Sequence, residues 1–184
     1  SDRPPMLMFS SAGTKDSLRN LEASGEFTCS LATWDLRDAM NMSSAAVAPQ
    51  VDEFQLAGLT PAPSVYVKPP RVAEAPAAFE CKLWKTLPLP APAGGKAPGA
   101  RVGAVSKTPG YTVVFGVVVG IYIDDAFIED GLVLTGQMRP IARLGYMDYS
   151  VVTPETMFSL NRPIPSADGL GADLVPGAWD GVYR

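Results

Sequence analysis

Residues 8–20 read MFSSAGTKDSLRN, and the fold turns on this stretch. A short apolar run ends at Phe9, small residues follow, and Lys15, Asp16 and Ser17 stand where a helix begins. The pattern predicts a strand over 5–9 and a helix over 15–24, with Leu18 and Leu21 on the apolar face of the helix. Thr14 is placed to cap that helix, Asp16 suits its positive end, and Gly25 ends it. A helix N-terminus offers unpaired N–H groups and a partial positive charge. Small residues let an anion approach the backbone, Ser10, Ser11 and Ser17 add hydroxyls, and Lys15 adds a full charge. Together these are the chemistry of a phosphate cradle. The GxxxxGK[ST] pattern of nucleotide-binding P-loops is absent. A strand, a Ser/Gly loop and a helix also occur as plain capping, so the residues alone leave both readings open.

Outward from this corner, 26–32 (EFTCSLA) reads as a strand. Thr33 reads as the cap of a second helix over 34–42, with Leu36, Ala39 and Met40 on one side. A short helix over 52–57 is closed by Gly58. Strands dominate afterwards: 65–67 before a Pro-Pro turn, 78–87, 111–123, 141–144 and 157–160. In 78–87, Phe79, Cys81 and Leu83 alternate with Glu80, Lys82 and Lys85. In 111–123 (YTVVFGVVVGIYI), Gly116 and Gly120 permit a bend or bulge. The Pro- and Gly-rich stretch 87–110 reads as a long loop. No internal repeat is visible. Few, short, early helices and long strands argue a mainly β chain, an antiparallel barrel with helical decorations rather than a doubly wound sheet.

Composition narrows the chemistry. The chain has 184 residues, enough for one domain with a sizeable core. Only 18% of it is charged, which favours an oligomer that covers part of its surface. The net charge is −4 and no basic stripe is present, so nucleic acid is disfavoured as a partner. The absence of histidine removes a Ser-His-Asp triad, a His-ligated zinc and a His general base. Cys29 and Cys81 lie in strand-like runs and read as buried small hydrophobes rather than a disulfide. The run 111–123 is too short and too β-branched for a membrane span, which needs about 20 residues. No charged and apolar leader precedes the domain, which fits a cytoplasmic setting.

Five segments in order carry a family resemblance: MFSSAGTKDSLRNLEASGEFTCSLAT (8–33), AMNMSSAAVAPQVDEFQLAGLTPAPS (39–64), VKPPRVAEAPAAFECKL (67–83), GVVVGIYIDD (116–125) and RPIARLG (139–145). Residues 4–160 resemble the flavin reductase-like family, the FMN-binding split barrels. The resemblance implies an antiparallel split β-barrel of Greek-key type with a few short peripheral helices. It would occupy residues 1–162, without the family's leading strands, and a Gly/Asp-rich extension would follow over 163–184. It further implies NAD(P)H-dependent hydride transfer to flavin by a homodimer with FMN at its interface. A flavin-dependent monooxygenase or a redox protein would accept the electrons. Ser10, Ser11, Ala12, Lys15, Asp16 and Ser17 would line the FMN phosphate and ribityl chain. Lys15 and Ser17 would meet the phosphate, and Asp16 would contribute its backbone N–H while its side chain caps the helix. No catalytic acid, base or metal is implied, because the cofactor carries the chemistry. This chain has Ser30 where many relatives have Asn, and Val117 and Tyr122 where relatives often have Glu and His. These departures keep two alternatives open: an electron-transfer protein that holds FMN, and an oligomeric barrel that has lost flavin.

Other candidates each have two readings. Arg143 and Tyr149 border the flavin or the nicotinamide, or else form an ordinary strand end, and Gly145 lets a backbone come close. Trp34 stacks on a flavin ring, or anchors the core or an interface. Arg19 and Asn20 belong to the cradle or to a solvated helix face. Asp124, Asp125, Glu129 and Asp130 read as a solvated turn rather than a metal site. Trp84 and Met157 read as core or dimer contacts, and Trp179 and Tyr183 as docking points for the tail.

Overall fold

The structure is a computed structural model that describes residues 3–92 and 105–181. In chain order its elements are β1 (Met6–Ala12), α1 (Asp16–Ser24), β2 (Glu26–Ser30), α2 (Arg37–Met42), α3 (Glu53–Ala57), β3 (Pro61–Ala62), β4 (Arg71–Val72), β5 (Ala77–Pro92), β6 (Val105–Ile123), β7 (Ile128–Glu129), β8 (Leu132–Val133), α4 (Thr135–Met138), β9 (Ile141–Arg143), β10 (Tyr149–Val151), β11 (Ile164–Pro165) and β12 (Ala172–Asp173). The main sheet has four antiparallel strands in the order β1-β6-β5-β2, and the remaining strands pair as two-stranded ribbons. The mainly β, antiparallel expectation holds. Pairing among the described residues leaves the main sheet open at β1 and β2 rather than closing it into a cylinder.

The core lies between α1 and one face of this sheet. Leu18 and Leu21 are buried against Phe27, Cys81 and Val114, with Leu7, Phe9, Leu83 and Val118 packed around them. Burying each leucine is worth about 1.5–3 kcal/mol, which holds a nine-residue helix that is too short to persist alone. Gly25 ends α1 at φ 70°, donating its N–H to the Leu21 carbonyl at 2.8 Å. Gly116 lies under the Phe27 ring. A Cβ there would come within 2.4 Å of that ring, so only glycine lets β6 pass beneath it. The expected irregularities are present, because the β5–β6 register shifts beside Gly120, between Glu80 and Cys81, and beside Gly116, between Leu83 and Lys85.

Several sequence expectations are corrected. The stretch 87–110 is not a loop where it is described: β5 continues to Pro92 and β6 starts at Val105, while 93–104 lie outside the described residues. Pro88, Pro90 and Pro92 alternate along β5, so their missing N–H groups fall on one side. Among the described residues that side has no partner strand past Lys82, where pairing with β2 ends. Residues 65–67 are not a strand but part of a bent strap over the sheet. The second strand after 141–143 is Tyr149–Val151, not 157–160. Thr33 does not head a helix at 34, since a turn over 34–36 intervenes and α2 starts at Arg37. Trp84 and Met157 are not core residues: they are 63% and 49% exposed.

The strap is tied down by side chains of the sheet. The carboxylate of buried Glu80 accepts the N–H groups of Val65 and Tyr66. Glu26 accepts the Lys68 N–H, Ser30 accepts the Val72 N–H at 3.1 Å, and Thr28 donates to the Pro70 carbonyl at 2.8 Å. Arg71 lies 3.5 Å from the Tyr122 ring centroid. The tail is pinned by Asn161, whose amide donates to the Ala178 carbonyl at 2.9 Å and accepts the Asp180 N–H at 3.0 Å. Tyr183 lies outside the described residues. Among the described residues no helix is long and apolar enough to cross a membrane.

Candidate functional site

Strand β1 delivers the chain to α1 through a turn at Gly13, whose φ of 66° suits glycine and whose N–H reaches the Gly110 carbonyl at 3.1 Å. The helix begins without a side-chain cap. Lys15 occupies the cap position in extended conformation, so Thr14 does not cap it. The first intrahelical bond runs from the Arg19 N–H to the Lys15 carbonyl at 3.1 Å, which leaves the N–H groups of Asp16, Ser17 and Leu18 ahead of it. The Asp16 carboxylate does not cap the helix but pairs with Arg19 one turn on.

These residues form one wall of a cleft of about 340 Å³. Thr14, Lys15, Asp16, Ser17 and Arg19 line one side, and residues 44–47, Pro49 and Glu53 the other. Lys15, Asp16 and Ser17 are therefore together. Ser10, Ser11 and Ala12 are not part of this lining. Strand alternation buries Ser11 beside Phe9, turns Ser10 outward with Met8, and leaves Ala12 exposed. Asn20 stays on the solvated face of α1, whereas Arg19 reaches the cleft. The opposite wall was not anticipated. Its signal is the small-residue run SSAAV at 43–47, where the Ser43 and Ser44 hydroxyls turn back onto the Met40 and Asn41 carbonyls and close α2. Pairing of Asp16 with Arg19 leaves Lys15 as the cation of the cleft, whose lining also includes Glu53. Among the described residues Lys15 makes no ion pair.

The donor set suits a phosphate, with exposed N–H groups at a helix start, the hydroxyls of Thr14 and Ser17 and the Lys15 ammonium, although the Glu53 carboxylate shares the lining. Ser30 is committed to the strap, Tyr122 lies under Arg71, and Val117 lines an apolar groove with Met6, Met8, Trp84 and Phe115.

A second groove, also about 340 Å³, runs between α2 and the β9–β10 ribbon. Trp34 and Tyr149 wall it, with Arg37 and Arg139 at 4.2 and 5.6 Å from the Trp34 ring centroid. Arg143 lies 5.8 Å from the Tyr149 centroid and donates to the Tyr146 carbonyl. Gly145 has nothing near the position of a Cβ.

A third, apolar cavity of about 450 Å³ includes Cys29, Phe79, Ile121 and Met138. Both cysteines are free, but only Cys81 is buried. Burial, with Cys29 second, pushes the Cys81 thiol up to about 11. Cys29 is exposed but also lines the cavity, and partial burial there raises its thiol above the ordinary value. Asp124 caps the turn at Asp125–Phe127, and no group of metal-ligating side chains occurs among the described residues.

Residues 1–142 match the flavin reductase like domain family. An uncharacterized protein of Aquifex aeolicus is 32% identical over 151 residues, covering 79% of this chain and 67% of that one. A relative from Halalkalibacterium halodurans is 34% identical over 149 residues, 81% of this chain and 64% of its own length. This chain thus spans about two thirds of these relatives. Among solved structures, nitrilotriacetate monooxygenase component B from Bacillus cereus superposes with a TM-score of 0.71 at 28% identity, covering 87% of this chain and 74% of that one. The domain is that of a flavin-linked oxidoreductase. The chain belongs to the flavin reductase-like family.

Proposed function

We propose that the protein is an FMN-binding flavin reductase that transfers hydride from NAD(P)H to flavin, with the FMN phosphate held in the cleft at the start of α1. The observation that carries this reading is the convergence of Lys15, Ser17 and the open N–H groups of α1 in one cleft of a flavin reductase-like domain. Lys15 neutralises the phosphate, the Ser17 hydroxyl and the amides orient it, and residues 44–47 form the far wall. Bound FMN supplies the ring that accepts hydride. The chain's part is to fix that ring against the donor, which requires no acid or base and is consistent with a sequence without histidine.

The same reading includes a split barrel of Greek-key type, a homodimer in the cytoplasm, and a flavin-dependent monooxygenase or redox protein as acceptor. The likeness to nitrilotriacetate monooxygenase component B from Bacillus cereus supports that acceptor class. The dimer is supported by apolar surface that a partner copy would cover: Met8, Trp84 and Ile121 are each at least 60% exposed.

The test is FMN titration of the wild type against Lys15→Ala with Ser17→Ala. Clear weakening with the fold intact supports the reading, and unchanged affinity places the phosphate elsewhere. Anaerobic bleaching of bound flavin by NADH or NADPH separates a reductase from a protein that only carries electrons.

A further inference from the structure

Two features outside the α1 cleft complement one another: an apolar cavity and a braced apolar arm. The cavity of about 450 Å³ has Cys29, Phe79, Ile121, Val133 and Met138 in its wall, and no charged side chain among the described residues lines it. A charged guest would lose its water there and find no partner, so apolar side chains are the occupant it suits. The arm is the stretch 157–181, which lies beyond the residues matched by the family domain. It runs out through the β11–β12 hairpin and returns to Asn161, which holds the Ala178 carbonyl and the Asp180 N–H. Within it the Ser166 N–H donates to the Gly171 carbonyl and the Gly171 N–H to the Ser166 hydroxyl, both at 2.9 Å. Hydrogen bonds of its own thus brace the arm. Along it Phe158, Leu160, Leu170 and Leu174 are each at least 79% exposed. Scattered exposed leucines are ordinary, but four large apolar side chains on one short arm mark a contact surface.

The base of the arm is fixed at the cavity. Pro154 and Met157 rest on Gly136 of α4, where a Cβ would come within 2.8 Å of the Pro154 nitrogen, and Thr135 and Met138 of the same helix line the cavity. The arm therefore leaves the body at the cavity's rim, yet Phe158 and Leu160 stay bare instead of turning in. A two-fold rotation that brings two such cavities face to face carries each arm across to the other copy. We propose that residues 157–174 form a clasp that seats Phe158 and Leu160 of one copy in the cavity at Cys29, Phe79 and Ile121 of a second copy, with Leu170 and Leu174 on its rim. The clasp names the segment that holds the homodimer of the proposed function, and it rests on that part of the reading. The contact is isologous, so each side chain acts twice per dimer.

Sedimentation of the full chain reads the oligomeric state, and a short bismaleimide reads the contact. The wild type is expected to be a dimer. Phe158→Ser with Leu160→Ser should raise the dimer dissociation constant at least about 100-fold, and Cys29 should then be alkylated faster because its cavity is uncovered. Both side chains are exposed, so these changes leave the chain's own core intact. In Leu160→Cys the reagent should bridge the new thiol to Cys29 between two chains, giving a covalent dimer on a denaturing gel, and adding Cys29→Ala should abolish that bridge. Bridging within one chain overturns the proposal by folding the arm onto its own cavity. A dimer that the serine changes leave intact and that gives no bridge also overturns it, while the homodimer itself stands. A monomeric wild type removes the homodimer and the clasp together. A bridged dimer that never binds FMN keeps the clasp and removes the flavin reading, so the failures are separable.

Discussion

The buried carboxylate of Glu80 accepts the backbone N–H of Val65 at 2.9 Å. A second bond, from the Tyr66 N–H, joins it. One acidic side chain on β5 thus supplies the acceptors that strap residues would otherwise find on a strand, and this is why 65–67 runs bent across the sheet. Glu80→Ala would leave both N–H groups unpaired. A loss of about 3 kcal/mol is expected, read as a lower denaturant midpoint, with Glu80→Gln intermediate. An unchanged midpoint in the alanine variant would show that the strap is held by its other contacts.

Gly116 and Phe27 are a matched pair. Adding a methyl group at 116 drives it into the Phe27 ring and within 3.3 Å of the Cys81 Cβ. Gly116→Ala should cost about 1–3 kcal/mol. The double variant Gly116→Ala with Phe27→Leu should cost less than the sum of the single changes, and strict additivity would remove the steric explanation.

The phosphate grip can be told apart from ring contacts by removing the phosphate. Lys15→Ala with Ser17→Ala should weaken FMN about 10–100-fold, the loss of one or two charge-assisted hydrogen bonds, and leave riboflavin affinity unchanged. Equal weakening of both ligands would point to a disturbed ring site instead.

Cysteine chemistry should differ between the two thiols. Cys29 is exposed and Cys81 is buried, so a neutral-pH alkylating reagent should modify only Cys29 in the folded protein. Folding raises the Cys81 thiol from 9.0 to about 11, so the folded state keeps its proton where the unfolded chain loses it. The associated stability is complete below pH 9.0 and fades as pH rises through about 11. A plot of denaturation midpoint against pH should fall in that window for the wild type and fall less for Cys81→Ala. Identical plots would show that other groups set the alkaline limit.

What the sequence determined by itself is local. The stop of α1 at Gly25 and the end of α3 at Gly58 depend on neighbours a few residues away. The family segments likewise placed Lys15, Asp16 and Ser17 together at a helix start. The tertiary structure decided everything that depends on distant partners. Glu80 looked outward because it is charged, yet it is buried because strap N–H groups come to it. The proline-rich arm looked like a loop, yet it is a strand because its unpaired side faces a free edge. Residues 44–47 became a cleft wall only when α2 brought them opposite α1. Burial and edge status are properties of a strand's place in the sheet, set by pairing across many residues, and no short-range pattern encodes them.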